Sequence, residues 1–308
     1  MEKLKIKDII KIWKEEKIIY VKESSFAAYC LLINNHLNPY FGEMESVEES
    51  DVQNFVLAKI NQGLSHKTIK DMIIVLKMIL KFAVKNKLLE FRQIDIKFPT
   101  YENKKDLDVL NKSEYNKILE YSKQNFTFKN LGIYLCLTTG MRIGEICGLK
   151  WSDIDTDKGI IKIRRTVQRI YIVENNEKYT KIIEDKPKTQ NSIRDIPMAS
   201  DVLKIIKPLK KILNDNYYVL TNEEKPTEPR TYRNYYNRLI KVLNINNLKF
   251  HGLRHSFATR CIESKCDYKT VSVILGHSNI STTLNLYVHP NLEQKKKCID
   301  QMFKFLKK

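Results

Sequence analysis

At 308 residues the chain is long enough for two domains that each bury a core. Its 54 Lys and Arg against 36 Asp and Glu leave a net charge of +18, which points to a polyanionic partner, nucleic acid first. No run of eighteen uninterrupted apolar residues exists, which excludes a helical membrane span; the amphipathic opening MEKLKIKDIIKIWKEEK is no secretory signal, so a cytoplasmic location is expected.

Residues 1–97 read as a helical module. Ile6, Ile9, Ile10 and Trp13 recur at i, i+3, i+4, i+7 and predict one apolar stripe. A second helix is expected from Ser24 or Ser25, stacking Phe26, Tyr29, Ile33 and Leu37 and stopping at NPYFG. Ser50 is the expected cap of a third helix bearing Val52, Phe55, Val56 and Ile60, with Gly63 as its stop. Ser65 then caps the longest helix, with Ile69, Met72, Ile73, Leu76, Leu80 and Ala83 inward and Lys67, Lys70, Lys77, Lys81 and Lys85 left for solvent or phosphate.

Pro99 and a run of charge break the periodicity, which places a linker at residues 98–107. Asn111 and Glu114 have capping-box spacing for a helix through Tyr121. A helix over about 130–139 ends at Gly140 and opens TTGMRIGEICGLKWSDID, in which Arg142 falls at a helix N-terminus that favours anions. Glu145, one turn on, either orients that arginine or forms an exposed ion pair with it. From Gly159 to Pro197 the period changes to two. GIIKIRRTVQRIYIV, EKYTKIIED and SIRDIPM are three expected strands, and the turn KPKTQN carries Lys188 at its tip. Residues 200–245 are expected to be helical again, with TYRNYYNRLIKVL mixing aromatic and basic side chains as a DNA-facing helix does.

The window HGLRHSFATRCIESKCDYKTVSVILGHSNISTTLNLYVH holds four of the six histidines, with Arg254 between His251 and His255, His277 after an apolar run, and Tyr287 ten residues later. Histidine and arginine without carboxylates suit a phosphate better than a divalent cation, and the tyrosine hydroxyl is then a candidate nucleophile. A metal pair at His251 and His255 is disfavoured because Gly252 stands where a zinc protease needs its glutamate. A plain helix-turn-helix, DYKTVSVIL and ISTTLNLY about GHSN, stays open as a DNA-binding reading without chemistry. The six cysteines (Cys30, Cys136, Cys147, Cys261, Cys266, Cys298) are scattered as reduced core residues are.

Taken together, TTGMRIGEICGLKWSDI, HGLRHSFAT and LGHSNISTTLNLY, in this order and spacing, resemble the tyrosine recombinase (phage integrase) family. The resemblance covers about residues 105–290, with KPKTQNSIRDIP resembling the family's lysine hairpin and the first hundred residues resembling its core-binding domain by architecture. It implies a mainly α fold with a small antiparallel β-sheet (α+β): a SAM-like helical core-binding domain over 1–97, a linker over 98–107, a catalytic domain over 108–290 and a C-terminal tail helix over 291–308. It also implies roles: Arg142 and Arg254 as the phosphate clamp, His251 handling a proton, His277 donating to the phosphate, Lys188 as general acid and Tyr287 as nucleophile. Glu145 and His255 are supporting residues, His255 a structural neighbour of the site.

The implied activity is site-specific DNA recombination through a 3′-phosphotyrosine and a Holliday junction, without metal, ATP or other cofactor. The implied partners are double-stranded DNA with inverted core repeats, a homotetramer on that DNA and DNA-bending accessory proteins. In the tail, Ile299, Met302, Phe303 and Leu306 at i, i+3, i+4, i+7 suit docking on a neighbouring protomer, with packing on its own domain as the alternative. The sequence starts almost directly with the core-binding helices, so the arm-binding module of larger relatives is expected to be missing, which favours a compact recombinase acting on short inverted core repeats; the Lys-rich, Asn-rich composition favours a mobile-element integrase. The alternatives are an Xer-like chromosome dimer resolvase, a monomeric type IB topoisomerase and a catalytically silent DNA-binding regulator.

Overall fold

The computed structural model describes residues 4–99, 108–174, 177–187, 190–246, 248–287 and 292–306. The chain is mostly helical with small antiparallel sheets and divides into two compact units, one within residues 1–104 plus 169–181, the other within 105–168 plus 182–308. No helix among the described residues is long and apolar enough to cross a membrane.

The first unit is built from α1 (Ile6–Tyr20), α2 (Glu23–Leu32), a π turn (Ile33–Leu37) running straight into α3 (Asn38–Phe41), α4 (Glu49–Asn61) and α5 (His66–Lys85). The stripe Ile6, Ile9, Ile10 and Trp13 is buried as expected, against Phe41, Phe55, Ile69, Met72 and Leu76. Ser65 caps α5 by accepting from the Thr68 amide at 3.1 Å. Two details differ from the sequence expectation. Helix α4 starts before Ser50: the Glu48 amide donates to Asp51 at 2.9 Å, so the acidic pair three apart takes the capping position and Ser50 falls in the first turn. On α5, Val75 and Ile79 take the buried positions, and Leu80 is only half-buried.

The second unit begins with α6 (Lys112–Gln124), closed by the reciprocal Asn111–Glu114 capping box at 2.9 and 3.0 Å. Thr127 caps α7 (Phe128–Thr139), whose almost uniformly buried residues make it the central helix of this unit. The short α8 (Ile143–Cys147) and a 3₁₀ turn (Trp151–Asp153) lead to β1 (Ile154–Asp155) and β2 (Ile160–Ile163), which pair antiparallel in the order β1, β2, β5, with Ile161 opposite Ile196 of β5 (Arg194–Pro197).

The single strand expected from Gly159 to Val173 is two strands. β3 (Thr166–Glu174) pairs instead with β4 (Glu177–Asp185), and the break falls at Arg164 and Arg165. Those guanidinia turn to different partners, Arg164 to the Arg194 carbonyl at 3.2 Å and Arg165 to Asp153 and Glu184, which pulls the backbone out of one ladder.

Residues 200–245 are helical only over α9 (Ser200–Lys210) and α10 (Pro229–Val242). Between them Trp151 N donates to Tyr217 O and Val219 N to Leu149 O, so that stretch follows the Leu149–Trp151 segment instead of coiling. The tyrosines of α10 are core rather than a stacking platform for bases: Tyr232 and Tyr236 are fully buried against Phe250, while Arg230, Arg238 and Lys241 face solvent. Helices α11 (His251–Glu263), α12 (Tyr268–Leu275) and α13 (Ile280–Tyr287) close the unit, α11 packing on α7, and α14 (Leu292–Leu306) follows.

Candidate active site

Gly140 ends α7 in the left-handed conformation, φ 68°, a region in which a Cβ is costly. A side chain there would also run into Phe257 and Leu275 at 2.6 and 2.7 Å. The chain therefore turns sharply, and Arg142 becomes the N-cap of α8. Glu145 reaches back, its Oε2 accepting from the Arg142 amide at 2.9 Å and its Oε1 from Arg142 Nη1 at 2.8 Å.

The Glu145 side chain is only 3% exposed, so the exposed ion pair that the spacing also allowed is not what forms. Its second partner is Arg194 at the start of β5, with Nη1 to Oε1 and Nη2 to Oε2 both 2.9 Å. Burial alone would raise the Glu145 carboxyl, but the fork of Arg194 and the charge of Arg142 outweigh it and hold it near 2.

The C-terminus of α12 holds the arginines from the other side. Gly276, φ 66°, ends that helix, and its last carbonyls point into the site. Arg194 Nε donates to Ile274 O at 2.5 Å, Arg254 Nη2 to Leu275 O at 2.7 Å and Arg142 Nη2 to Gly276 O at 3.1 Å. Arg254 Nη1 also donates to Gly140 O at 2.9 Å. Unpaired carbonyls at a helix C-terminus are the negative end of its dipole, so cations gather there with a single carboxylate among them. Arg254 is 2% exposed; burial, then Arg142, push its guanidinium down to about 9, still a cation at neutral pH. Two of its five N–H donors are spent on carbonyls, which leaves donors for an oxyanion.

The histidines line the same place. His277 Nδ1 meets the hydroxyl of the fully buried Thr283 at 2.8 Å. Burial, then Arg254, Arg142, Arg194 and His251, pull the His277 imidazole down to about 4. His251 lies at the exposed edge, its ring set edge-on to His255 with centroids 4.6 Å apart. Desolvation by the surrounding protein, followed by His255, Arg254 and Arg142, brings His251 to about 4. His255 is half-buried, and its Nδ1 stands 2.5 Å from the hydroxyl of Tyr287. Tyr287 is 9% exposed, packed with Ala258, Val271 and Leu275, and burial pushes its phenol up to about 12 against the pull of Arg254.

The structure thus gathers Arg142, Glu145, His251, Arg254, His255, His277 and Tyr287 into one site. Lys188, expected at the hairpin tip, lies outside the described residues. Sequence reasoning missed Arg194 and Thr283. The signal for Arg194 was present: it shares a strand face with Ile196, and an arginine on an apolar face needs a buried partner. A cluster of guanidinia beside a phenol fits a phosphodiester whose nonbridging oxygens are neutralised while the phenol attacks phosphorus.

Residues 108–294 match the phage integrase family, and residues 5–59 match the phage integrase N-terminal SAM-like domain. The chain is 30% identical over 322 residues to a tyrosine recombinase XerC-like protein of Caldanaerobacter subterraneus subsp. tengcongensis, covering 96% of this chain and 82% of that one. It is 22% identical over 284 residues to the ICEBs1 integrase of Bacillus subtilis, covering 88% and 75%. The Tn1549 transposon integrase, solved in complex with transposon right end DNA, superposes with a TM-score of 0.79 at 22% identity over 97% of this chain and 99% of that one, a likeness of fold. The family match across the whole candidate site, and a 30% identical relative along nearly the full chain, make this protein a member of the phage integrase family of tyrosine recombinases.

Proposed function

We propose that the protein is a site-specific DNA recombinase that cleaves and rejoins strands through a 3′-phosphotyrosine, and that it is the integrase of a mobile element. The observation that carries this reading is the meeting of Arg142, Arg254 and His277 with the hydroxyl-bearing Tyr287 in one site, in which Arg254 and Tyr287 are buried and Arg142 and His277 partly exposed. Arg142 and Arg254 clamp the nonbridging oxygens, and their fixed positions stabilise the charge that builds on phosphorus. With Thr283 donating to Nδ1, neutral His277 presents Nε2–H as a third donor.

Tyr287 attacks, the 5′ oxygen leaves, and the phosphotyrosyl bond conserves the energy needed for rejoining, so the scheme draws on neither a divalent cation nor ATP. Lys188 supplies the proton to the leaving oxygen, a role that rests on the family resemblance. Two rounds of exchange through a Holliday junction need four protomers on inverted core repeats. Ile299, Met302, Phe303 and Leu306 of α14 are all exposed in the isolated chain, which supports docking of the tail on a neighbouring protomer.

The mobile-element role rests on the likeness to the ICEBs1 integrase and the Tn1549 fold. A second reading, chromosome dimer resolution, is favoured by the XerC-like relative. To test both, the protein is incubated with DNA flanking its own gene in EDTA and resolved on a denaturing gel. A covalent adduct is expected with the native chain and none with Tyr287→Phe, at equal DNA affinity. Adducts mapping to the ends of an element support the integrase, and mapping to a chromosomal dimer site supports the resolvase. Absence of any adduct on bound, pre-nicked DNA would overturn the recombinase reading in favour of the silent regulator.

A further inference from the structure

The nucleophile needs somewhere to send its proton, and the family resemblance assigns that duty to His251. The geometry points elsewhere. Of the histidines in the site, His277 commits Nδ1 to Thr283, His251 sits edge-on to the ring of His255, and His255 touches Tyr287.

Resting on the recombinase reading above, we infer that His255 is a catalytic residue, whose Nδ1, 2.5 Å from the Tyr287 hydroxyl, takes the phenol proton during cleavage and returns it during rejoining. The contact is structurally fixed. His255 lies one turn along α11 from His251 and next to Arg254, whose fork is tied to Gly140 and Leu275. Tyr287 packs onto α11 through Ala258 and onto α12 through Val271 and Leu275.

In the neutral ring an accepting Nδ1 requires the proton on Nε2. Burial, and after it Arg254, lower His255 below the ordinary histidine value, so the ring is neutral and able to accept at pH 7. The titratable groups facing it among the described residues are His251 and Arg254 on its own helix and Tyr287 on α13. A phenol near 12 does not ionise in advance; the proton moves as the bond to phosphorus forms and the phenol oxygen becomes acidic, which is general base catalysis.

The steps balance. In cleavage the Oη–H bond breaks and its proton passes to His255 Nδ1 while Oη–P forms; P–O5′ breaks and the 5′ oxygen takes a proton from the general acid. In rejoining the 5′ hydroxyl attacks phosphorus and returns a proton to that acid, Oη–P breaks, and the imidazolium gives its proton back to Tyr287.

The test measures the rate of covalent adduct formation on a pre-nicked duplex carrying the sequence that flanks the gene. His255→Asn keeps an acceptor near the position of Nδ1 but cannot take up a proton; His255→Ala removes both functions. Slowing of about 100-fold or more is expected in each, in the range that general bases contribute, with unchanged DNA affinity. Replacing Tyr287 by a fluorinated tyrosine of lower phenol pKa should restore most of the lost rate in both variants, because an acidic phenol needs no base.

Near-native rates in His255→Asn would overturn the inference and leave His255 as a positioning residue, as would loss of rate without rescue by the fluorotyrosine. If the native chain itself gives no adduct on DNA it binds, the recombinase reading fails and this inference with it.

Discussion

Glu145 and Arg194 form a two-pronged ion pair with both prongs at 2.9 Å, and their side chains are only 3% and 5% exposed. The pair lies behind Arg142 and sets its direction, because Glu145 grips the Arg142 amide and guanidinium at the same time. Removing one member of a buried pair strands the other, which typically costs about 3–5 kcal/mol. Arg194→Ala should therefore destabilise the second unit by an amount in that range, read from urea unfolding as the midpoint shift times the m-value, and slow adduct formation as Arg142 loses its alignment. Arg194→Lys, unable to grip both oxygens, should fall between. Native stability in Arg194→Ala would show that Glu145 is held by Arg142 alone.

Gly276 allows a comparison with Gly63, since both adopt positive φ, 66° and 78°. A Cβ on Gly276 would stand 2.9 Å from Asn191 O and 3.0 Å from Arg194 Cδ, whereas one on Gly63 meets nothing within 4 Å. Gly276→Ala should cost about 3 kcal/mol, backbone strain plus overpacking, and Gly63→Ala about 1 kcal/mol from strain alone. The two tryptophans, Trp13 in the first unit and Trp151 in the second, allow each loss to be read by fluorescence in a background lacking the other. Equal losses would contradict the steric argument.

The depressed histidines make stability depend on pH in one direction. His251 and His277 sit at about 4 in the fold and near 6.5 when unfolded. Between those values the unfolded chain binds more protons, so stability rises with pH across the window, is complete above about 6.5 and has been lost below about 4. Thermal midpoints measured from pH 4 to pH 7 should climb, and less steeply in His277→Asn. A midpoint that falls over this range would contradict the assigned neutral state.

DNA affinity should weaken steeply with salt. A footprint of six to ten phosphates gives a log–log slope of roughly −5 to −9, which fluorescence anisotropy on a labelled duplex measures. A flat response would contradict a broad phosphate footprint, despite the net charge of +18.

Thr283→Val keeps the shape of the side chain but removes the hydroxyl that meets His277 Nδ1. Loss of one such hydrogen bond is worth about 1 kcal/mol, so adduct formation should slow by roughly five- to tenfold while DNA affinity holds. No change would mean that the tautomer of His277 is set by something else.

Local chemistry explains which features could be read from the residues. The Ser65 cap, the Asn111–Glu114 box and the end of α7 at Gly140 depend on neighbours a few positions apart, and they form where short-range rules place them. The separation of β2 from β3 was hidden, because it depends on the partners that Arg164 and Arg165 find far along the chain. Periodicity gave α10 its stripe but not its orientation, so its tyrosines looked available to bases when Phe250 already covers them. In the site, arginine and histidine spacing located the cluster; strand alternation marks Arg194 as inward-facing without naming its partner Glu145, 49 residues away, and Thr283 acts through a contact that no local pattern encodes.

The grip of the α12 carbonyls on Arg142, Arg194 and Arg254 also has a consequence in time. The Gly276 carbonyl lies 134 residues from the arginine it holds, and the Leu275 carbonyl 21 residues from its own. During synthesis the early arginine emerges long before the peptide groups that will aim it, and the nucleophile comes later still. A ribosome-bound or prematurely terminated chain ending before Gly276 therefore carries the guanidinia without all the carbonyls that aim them and lacks Tyr287, so on the proposed function an unfinished molecule can occupy DNA without breaking it.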